Sequence, residues 1–362
     1  MSDNGKHADA EMAKAIFISA DCWLGVFDLL PPSQLGLGIA MISHRFNIYV
    51  DEHYKTRLWS LRSMEILRKM GDNGTKQMEI VNSKGKAMPI PQIDVPSKVS
   101  GFECIIINYI DGTVIAFLLH FRQLFAACQI NLSIVTLTFS ALELFFPAIW
   151  PMIVKNICGM EFTTSVFELL RRSEPSFLNA CSSLCLVSFT FDDFSIEFPA
   201  DDGAMASDGQ AVVKWLFTLR PDGVPKVLKC SSEWGHVFKK KITEFKAAFK
   251  ASSSPANFIV VISFPSHSDH SVVSAFGLTN ELTQERLTLT WMNDIGRFLL
   301  IRCPILRDTN KWAKWEKEAI GWQFQDQWNK IIIQINDDEI VDEHYGNPGS
   351  NDDHRECECE KK

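Results

Sequence analysis

The sequence predicts an α+β chain: a small N-terminal unit of three helices, a run of irregular strand-and-helix units, and a C-terminal antiparallel meander with one helix. Three observations predict it. Two apolar runs within "ADCWLGVFDLLPPSQLGLGIAMISHRF", Ala20 to Phe46, have the density of helices and are broken once, at Pro31-Pro32. From Phe102 to about Ser263, short apolar strands alternate with amphipathic segments, as βα units around a largely parallel sheet do. After Ser266 the pattern changes to alternating segments separated by turn clusters.

Composition sets the outer limits. At 362 residues the chain is long enough for two or three domains with real cores, and 46% hydrophobic with 22% charged residues excludes a disordered or fibrous whole. The net charge is −8, but residues 337–362 hold ten acids against three bases, a charge of −7, which leaves the body at −1. A body so nearly neutral lacks the concentrated basic face that neutralises phosphates, so no nucleic-acid partner is expected. The ten cysteines show no CxxC…CxxC or CxxC…HxxxH spacing, so they read as reduced, mostly buried thiols and not as zinc ligands. The opening MSDNGKHADAEMAK has no charged-then-apolar signal, and cytoplasm or nucleus is the expected location.

Taken in order, residues 1–15 are polar and expected to be disordered, and 16–68 form the helical domain. In the first helix Ala20, Trp23, Phe27 and Leu30 share one face while Cys22, Val26 and Leu29 share another. The second, entered by Pro31-Pro32 with Ser33 as N-cap, sets Leu35, Ile39, Ile42 and Phe46 in one stripe and Leu37 and Met41 in another. Residues 69–100 read as a hairpin turning at Asn82 to Gly85, then a linker punctuated by Pro89, Pro91 and Pro96.

Across 101–265 the expected strands are Cys104–Ile107, Leu132–Phe139, Met160–Phe162, Leu184–Val187, Val227–Lys229 and Phe258–Ser263. "NICGMEF" and "ACSSLCLVSF" each place a cysteine and a small polar turn before a strand, which resembles an irregular leucine-rich repeat. Leu132 to Trp150 is apolar enough to suggest a membrane span, but Glu143, Pro147 and the alternation of its first half make it a buried strand followed by a helix. Residues 266–340 form the meander, with turns at Thr279–Gln284 and Asn293–Gly296. A helix capped by Asp308 or Thr309 follows, its Trp312, Trp315, Ala319 and Trp322 aligned as core, and "DQWNKIIIQI" closes the chain as a last strand. The acidic residues 341–362 are expected to be a disordered, solvated tail.

Two apolar faces on each N-terminal helix are more than an internal core can use. A unit of about 45 residues has a marginal core of its own, so the surplus calls for a partner. Here the residues resemble an F-box, the adaptor-binding motif of substrate receptors in SCF-type ubiquitin ligases. Ile18-Ser19 stands where Leu-Pro opens the family pattern, Asp21 matches its acid, and Trp23, Val26 and Phe27 match its apolar positions. Leu30-Pro31 matches the second Leu-Pro, Gln34-Leu35 the polar-Leu step, and Ile42-Ser43-His44-Arg45-Phe46 the close, with Trp59 at the expected end of the third helix. "WSLRSMEI", "KAMPIPQ", "SGFECIIINYIDGTVIAFL" and "FLLIRCPILRDTNKWAKWEKEAI" are similar to the expanded F-box families of nematodes.

The resemblance implies a non-catalytic receptor with no cofactor and no metal. Its partners are a Skp-type adaptor, through it a cullin ligase, and an unidentified target protein. The implied adaptor-binding residues are Ile18, Trp23, Val26, Phe27, Leu30, Pro31, Leu35, Ile39, Ile42, Arg45 and Phe46. The alternative is a scaffold that keeps the F-box shape without the adaptor, suggested by Ile18-Ser19. Competing chemistry is thin: His267 and His270 lack a third ligand, Cys230 and His236 lack an orienting group, and Lys239-Lys240-Lys241 reads as a solvated helix face. "GLGIAM" has neither the third glycine nor the preceding strand of a phosphate loop, and Cys357 and Cys359 are tail thiols.

Overall fold

A computed structural model describes residues 18–30, 32–55, 59–70, 76–88, 95, 99–193, 196–231, 235–264, 273–292 and 296–335. The two ends expected to be disordered, the three linker prolines, Pro31 and the histidines of "HSDH" lie outside those residues. The chain opens with α1 (Ala20–Phe27), α2 (Pro32–Leu37) and α3 (His44–Lys55), with a 3-10 turn at Ile39–Met41. Ser19 caps α1 by accepting from the Cys22 amide at 3.4 Å, so the residue standing in place of a proline has a local task.

The second helix is not the single stripe expected from Leu35 to Phe46. It starts at Pro32, whose fixed φ suits a first helical position, and it breaks at Gly38 (φ −127°, ψ −69°). The chain re-enters helix after Ser43, whose hydroxyl accepts from the Phe46 amide at 3.3 Å. Phe27, Leu35, Ala40, Val50 and Tyr54 form the small core of this unit.

The helical unit ends at Lys55, not at residue 68. Trp59 lies in β1 (Trp59–Leu61) and is followed by β2 (Met64–Met70), β3 (Lys76–Asn82), β4 (Ala87–Met88), β5 (Val99–Phe102) and β6 (Cys104–Ile107). "MEILRKM" is rich in helix formers, but Met64 and Ile66 pair with β3 and β6 and are buried, so tertiary pairing overrides propensity. The expected hairpin is there. Asn82 Oδ1 accepts from the Lys84 and Lys86 amides at 2.9 and 3.1 Å, and Gly85 takes a φ of +70° that only glycine adopts freely. The hairpin belongs to the main sheet, while the linker expected after it falls largely on residues outside those described.

The following units are α4 (Gly112–Leu119), α5 (Arg122–Ala127), β7 (Ile130–Thr136), α6 (Phe139–Leu144), α7 (Trp150–Ile153), β8 (Ile157–Phe162), α8 (Thr164–Ser173), α9 (Phe177–Ala180), β9 (Leu186–Asp193), α10 (Asp208–Leu216), β10 (Lys226–Ser231), α11 (Gly235–Ala251) and β11 (Phe258–Ser263). Strand β7 stops before Phe139, because Thr138 caps α6 by accepting from the Ala141 amide. Pro147 supplies no amide donor, and the chain there takes a π turn, Phe145–Ile149. No helix among the described residues is long and apolar enough to cross a membrane. The chain ends with β12 (Phe276–Asn280), β13 (Glu285–Met292), β14 (Arg297–Pro304), α12 (Thr309–Gly321) and β15 (Lys330–Gln334).

The molecule is mixed α and β around one large mixed sheet. Among the described residues thirteen strands run in the order β12-β13-β14-β11-β10-β9-β8-β7-β15-β6-β2-β3-β4, while β1 and β5 pair separately. The strands from β2 to β11 in that order are parallel, and both edges are antiparallel. The last strand does not extend the meander. It lies between β6 and β7, pairing Ile331 with both Ile105 and Leu132.

Register explains the core. Met64, Ile105, Ile331, Leu132, Met160, Val187, Leu228, Val260, Leu300 and Leu289 stand side by side across ten strands, all buried in the main cluster with Phe121, Phe145, Phe167, Trp215 and Phe249 of the crossover helices. Strand starts are tied by thiols: Cys185 Sγ donates to the Cys158 carbonyl at 3.1 Å, and Cys158 Sγ to that of Ile130 at 3.4 Å. Cys158 and Cys185 therefore stitch consecutive units together, whereas Cys181 Sγ donates within its own unit, to the Phe177 carbonyl at 3.5 Å.

Since β15 joins two halves of the sheet, Ile333→Asp, at a fully buried position, should lower the thermal midpoint by more than about 10 °C through a cost of several kcal/mol. Ending the chain after Asp342 should leave the midpoint within about a degree or two. Differential scanning calorimetry checks both; equal shifts would remove β15 as the closing element.

Candidate functional site

The helical unit divides its apolar side chains into two sets. Phe27 and Leu35 are fully buried in its own core, so these two implied contact residues are structural here, correcting the expectation that they face outward. Trp23, Leu30, Ile39 and Phe46 are half-buried against the same core, Trp23 meeting Phe46 edge-on at 4.9 Å. Ile18, Val26 and Ile42 are exposed, together with Leu29 and Met41 and with Ile48, which the sequence reading missed. Leu29 is 84% exposed and Ile42 63%. Arg45 bridges the ends of the unit, donating to the Tyr49 hydroxyl at 2.8 Å and the Ile18 carbonyl at 3.4 Å. A unit with its core complete thus leaves six large apolar side chains in solvent.

A second candidate surface lies on the sheet. One residue along from the buried row, the register sets Glu65, Ile106, Ile332, Ser133, Glu161, Ser188, Lys229, Val261 and Leu299 side by side on the opposite face. This row changes character along its length. It is apolar at Val261 and Leu299, where α12 packs through Trp312 and Ala319, and polar in the middle. In that middle stretch Ser133 and Ser188 are buried, while Glu161 and Lys229 are half-buried.

Two cations hold the C-terminal end of α12 to this face. Lys229 Nζ donates to the Trp322 carbonyl and lies 5.7 Å from that indole's centre, while Arg297 Nη1 donates to the Ile320 carbonyl at 3.2 Å. Between α12 and the strand starts runs a groove of about 890 Å³, lined by Trp315, Trp322 and Trp328 with Gln129, Asp326 and Gln327. Gly159 forms part of its floor. A Cβ there would stand 2.5 Å from Asn131 Oδ1, so glycine leaves the room that the Asn131 side chain occupies, while the Trp322 ring at 3.4 Å would be in ordinary contact.

Trp312 and Ala319 are core, as the helical stripe predicted, whereas Trp315 and Trp322 are half-buried and face the groove. The groove was not legible beforehand, since β15 and the turn before it bring Trp328 and Asn329 beside strand starts some 200 positions earlier, as the 3.0 Å bond from Asn131 Nδ2 to the Trp328 carbonyl records. Among the described residues no group of three or more His, Cys, Asp or Glu is placed to hold a metal ion. Cys230 is buried, and the His236 side chain and Cys357 and Cys359 lie outside what is described.

No protein-family model matches the chain, and no curated protein and no solved structure does.

Burial governs the titration of these surfaces. It pushes the Cys104 and Cys128 thiols up to about 11 and Cys158 up to about 12, and it raises Cys181, Cys185 and the Tyr54 phenol as well. It pulls Lys226 and Lys229 down to about 8, with Arg220 and Arg297 beside them adding to the shift. The two sets oppose one another. The lysines shed protons earlier in the folded chain, so their contribution rises with pH from about 8 to the ordinary lysine range near 10.4. The thiols stay protonated when those of the unfolded chain ionise, so their contribution falls from about pH 9 upward. Urea midpoints should therefore drop steeply above about pH 10.5, where only the second set still acts. Cys158→Ala should make that drop shallower; an unchanged slope would remove the buried thiols as its cause.

Proposed function

We propose that this chain is the substrate-receptor subunit of an SCF-type ubiquitin ligase. Its helical unit α1–α3 binds a Skp-type adaptor and its sheet presents a target protein. The observation that carries the reading is the division just described: a small helical unit that fills its own core with Phe27, Leu35, Ala40, Val50 and Tyr54 and still exposes Ile18, Val26, Leu29, Met41, Ile42 and Ile48. Apolar surface at that density fits a helical partner better than water.

The sheet supports the second half of the reading. Strands β7 to β11 follow one another in chain order with their helices on one side, in the manner of an irregular leucine-rich repeat, and the other side offers the tryptophan-lined groove beside α12. In this reading the receptor works by proximity. Holding the target in one assembly with a ubiquitin-conjugating enzyme raises the effective concentration of one for the other, with no catalytic group supplied by this chain.

The exposed residues make the sharper test, because truncating them leaves the helical core intact. Leu29→Ala with Ile42→Ala should weaken adaptor binding by about 2–4 kcal/mol, more than tenfold in affinity. Isothermal titration of adaptor into the wild-type and doubly substituted chains measures it, with circular dichroism to confirm unchanged helix content. Equal affinities, or no binding by the wild type, would replace the receptor by the stand-alone scaffold, for which Ile18-Ser19 in place of Leu-Pro already speaks.

A further inference from the structure

Helix α11 carries Lys239, Lys240, Lys241, Lys246 and Lys250 against a single acid, Glu244. Its buried stripe of Phe238, Ile242, Phe245 and Phe249 faces the sheet, and Lys239, Lys240 and Lys250 are exposed. Among the described residues the ion pairs of this helix are internal, Glu244 standing 4.0 Å from Lys240 and 3.7 Å from Lys241. Lys246 lies 3.9 Å above the Phe276 ring. One carboxylate among five ammonium groups leaves the face at about +4. Three exposed bases elsewhere have acids of their own: Lys69 has Glu79, Arg172 has Glu168 and Lys314 has Glu318.

The charge that would balance this face is present in the same chain. Residues 337–362 carry ten acids and three bases, and they follow β15, which is parallel to the strand that feeds α11. The carboxyl end of β15 and the start of α11 are therefore at the same end of the parallel strands, four strands apart, or about 20 Å at the usual strand spacing. The residues from 336 to 362 reach about 90 Å when extended, so distance does not limit contact. Tethering adds an effective concentration in the millimolar range.

We propose that the acidic segment 337–362 docks by charge on the lysine face of α11 in the same molecule. The inference stands apart from the adaptor reading, since it uses neither α1–α3 nor the groove. Its consequence is an interaction surface kept occupied by the chain's own acids, which a second acidic segment has to displace.

Zero-length carbodiimide coupling of the full chain, followed by peptide mapping, tests it directly. Tail acids should couple mainly to Lys239, Lys240 and Lys250, and the yield should fall at least about fivefold between about 0.01 M and 1 M salt, as the screening length shrinks from about 30 to 3 Å. Combined Lys239→Glu, Lys240→Glu and Lys250→Glu, at exposed positions, should remove these couplings with the circular dichroism spectrum unchanged. Coupling spread evenly to other exposed lysines such as Lys84 and Lys311, or insensitive to salt, would overturn the proposal. So would heavy–light pairs in an isotopically mixed sample, which would mean that the segment docks on a second copy.

Discussion

The sheet is continuous only because its last strand is placed in its middle. Without Lys330–Gln334, β6 would have no hydrogen-bonded neighbour on one side and β7 none on the other, and the other strands would divide into two smaller sheets. Much else follows from this insertion. To return from β14 to the gap between β6 and β7, the chain crosses the face that the other helices leave open, and α12 is that crossing. Where α12 lies, the sheet below is apolar at Ile259, Val261, Leu299 and Ile301; beyond it the same face turns polar, with Ser133 and Ser188 buried and Glu161 half-buried. The division of one sheet face into a packed half and a polar half is thus a consequence of connectivity, and the tryptophan groove forms along its boundary.

Charges are used sparingly and at joints. Glu285 and Arg302 pair across β13 and β14 at 2.6 Å with almost no exposure, and both are bonded further: the carboxylate accepts from the Ala256 amide, the guanidinium donates to Ser252 and Ser254. The Phe217 and Phe249 ring centres lie 5.1 and 5.3 Å from the guanidinium carbon. The pair ties the meander to the loop after α11, and in such a setting losing one partner costs about 3–5 kcal/mol because the other charge stays buried. Lys229 and Arg297 do the corresponding work for α12, where they meet the carbonyls that a helix leaves unsatisfied at its C-terminal end.

Local signals were legible where local chemistry decides. Cys104–Ile107 and Phe258–Ser263 could be bounded because continuous apolar residues end at turn formers, and the hairpin at Asn82 to Gly85 and the Asp308 cap declare themselves in a few side chains. Position in the sheet was not legible. The triple isoleucine of β15 has no residue that specifies β6 and β7 as neighbours, and the helix-forming residues of β2 become a strand only because β3 and β6 bury Met64 and Ile66. In the helical unit the residues that the resemblance singled out include both core and surface positions. Leu35 and Ile42 share a stripe in an unbroken helix, and the break at Gly38 puts one inside and the other out.

The placement of β15 also has a mechanical side. A force applied from the C-terminal direction reaches this strand before any other described element, and the strand is held along both edges by parallel neighbours. Drawing it out lengthwise has to shear both ladders at once instead of peeling one. Once it yields, the two halves of the sheet have lost the strand that joins them among the described residues, so resistance is concentrated in a single early event. A molecule arranged this way withstands a pull up to one threshold and then comes apart from its centre outward.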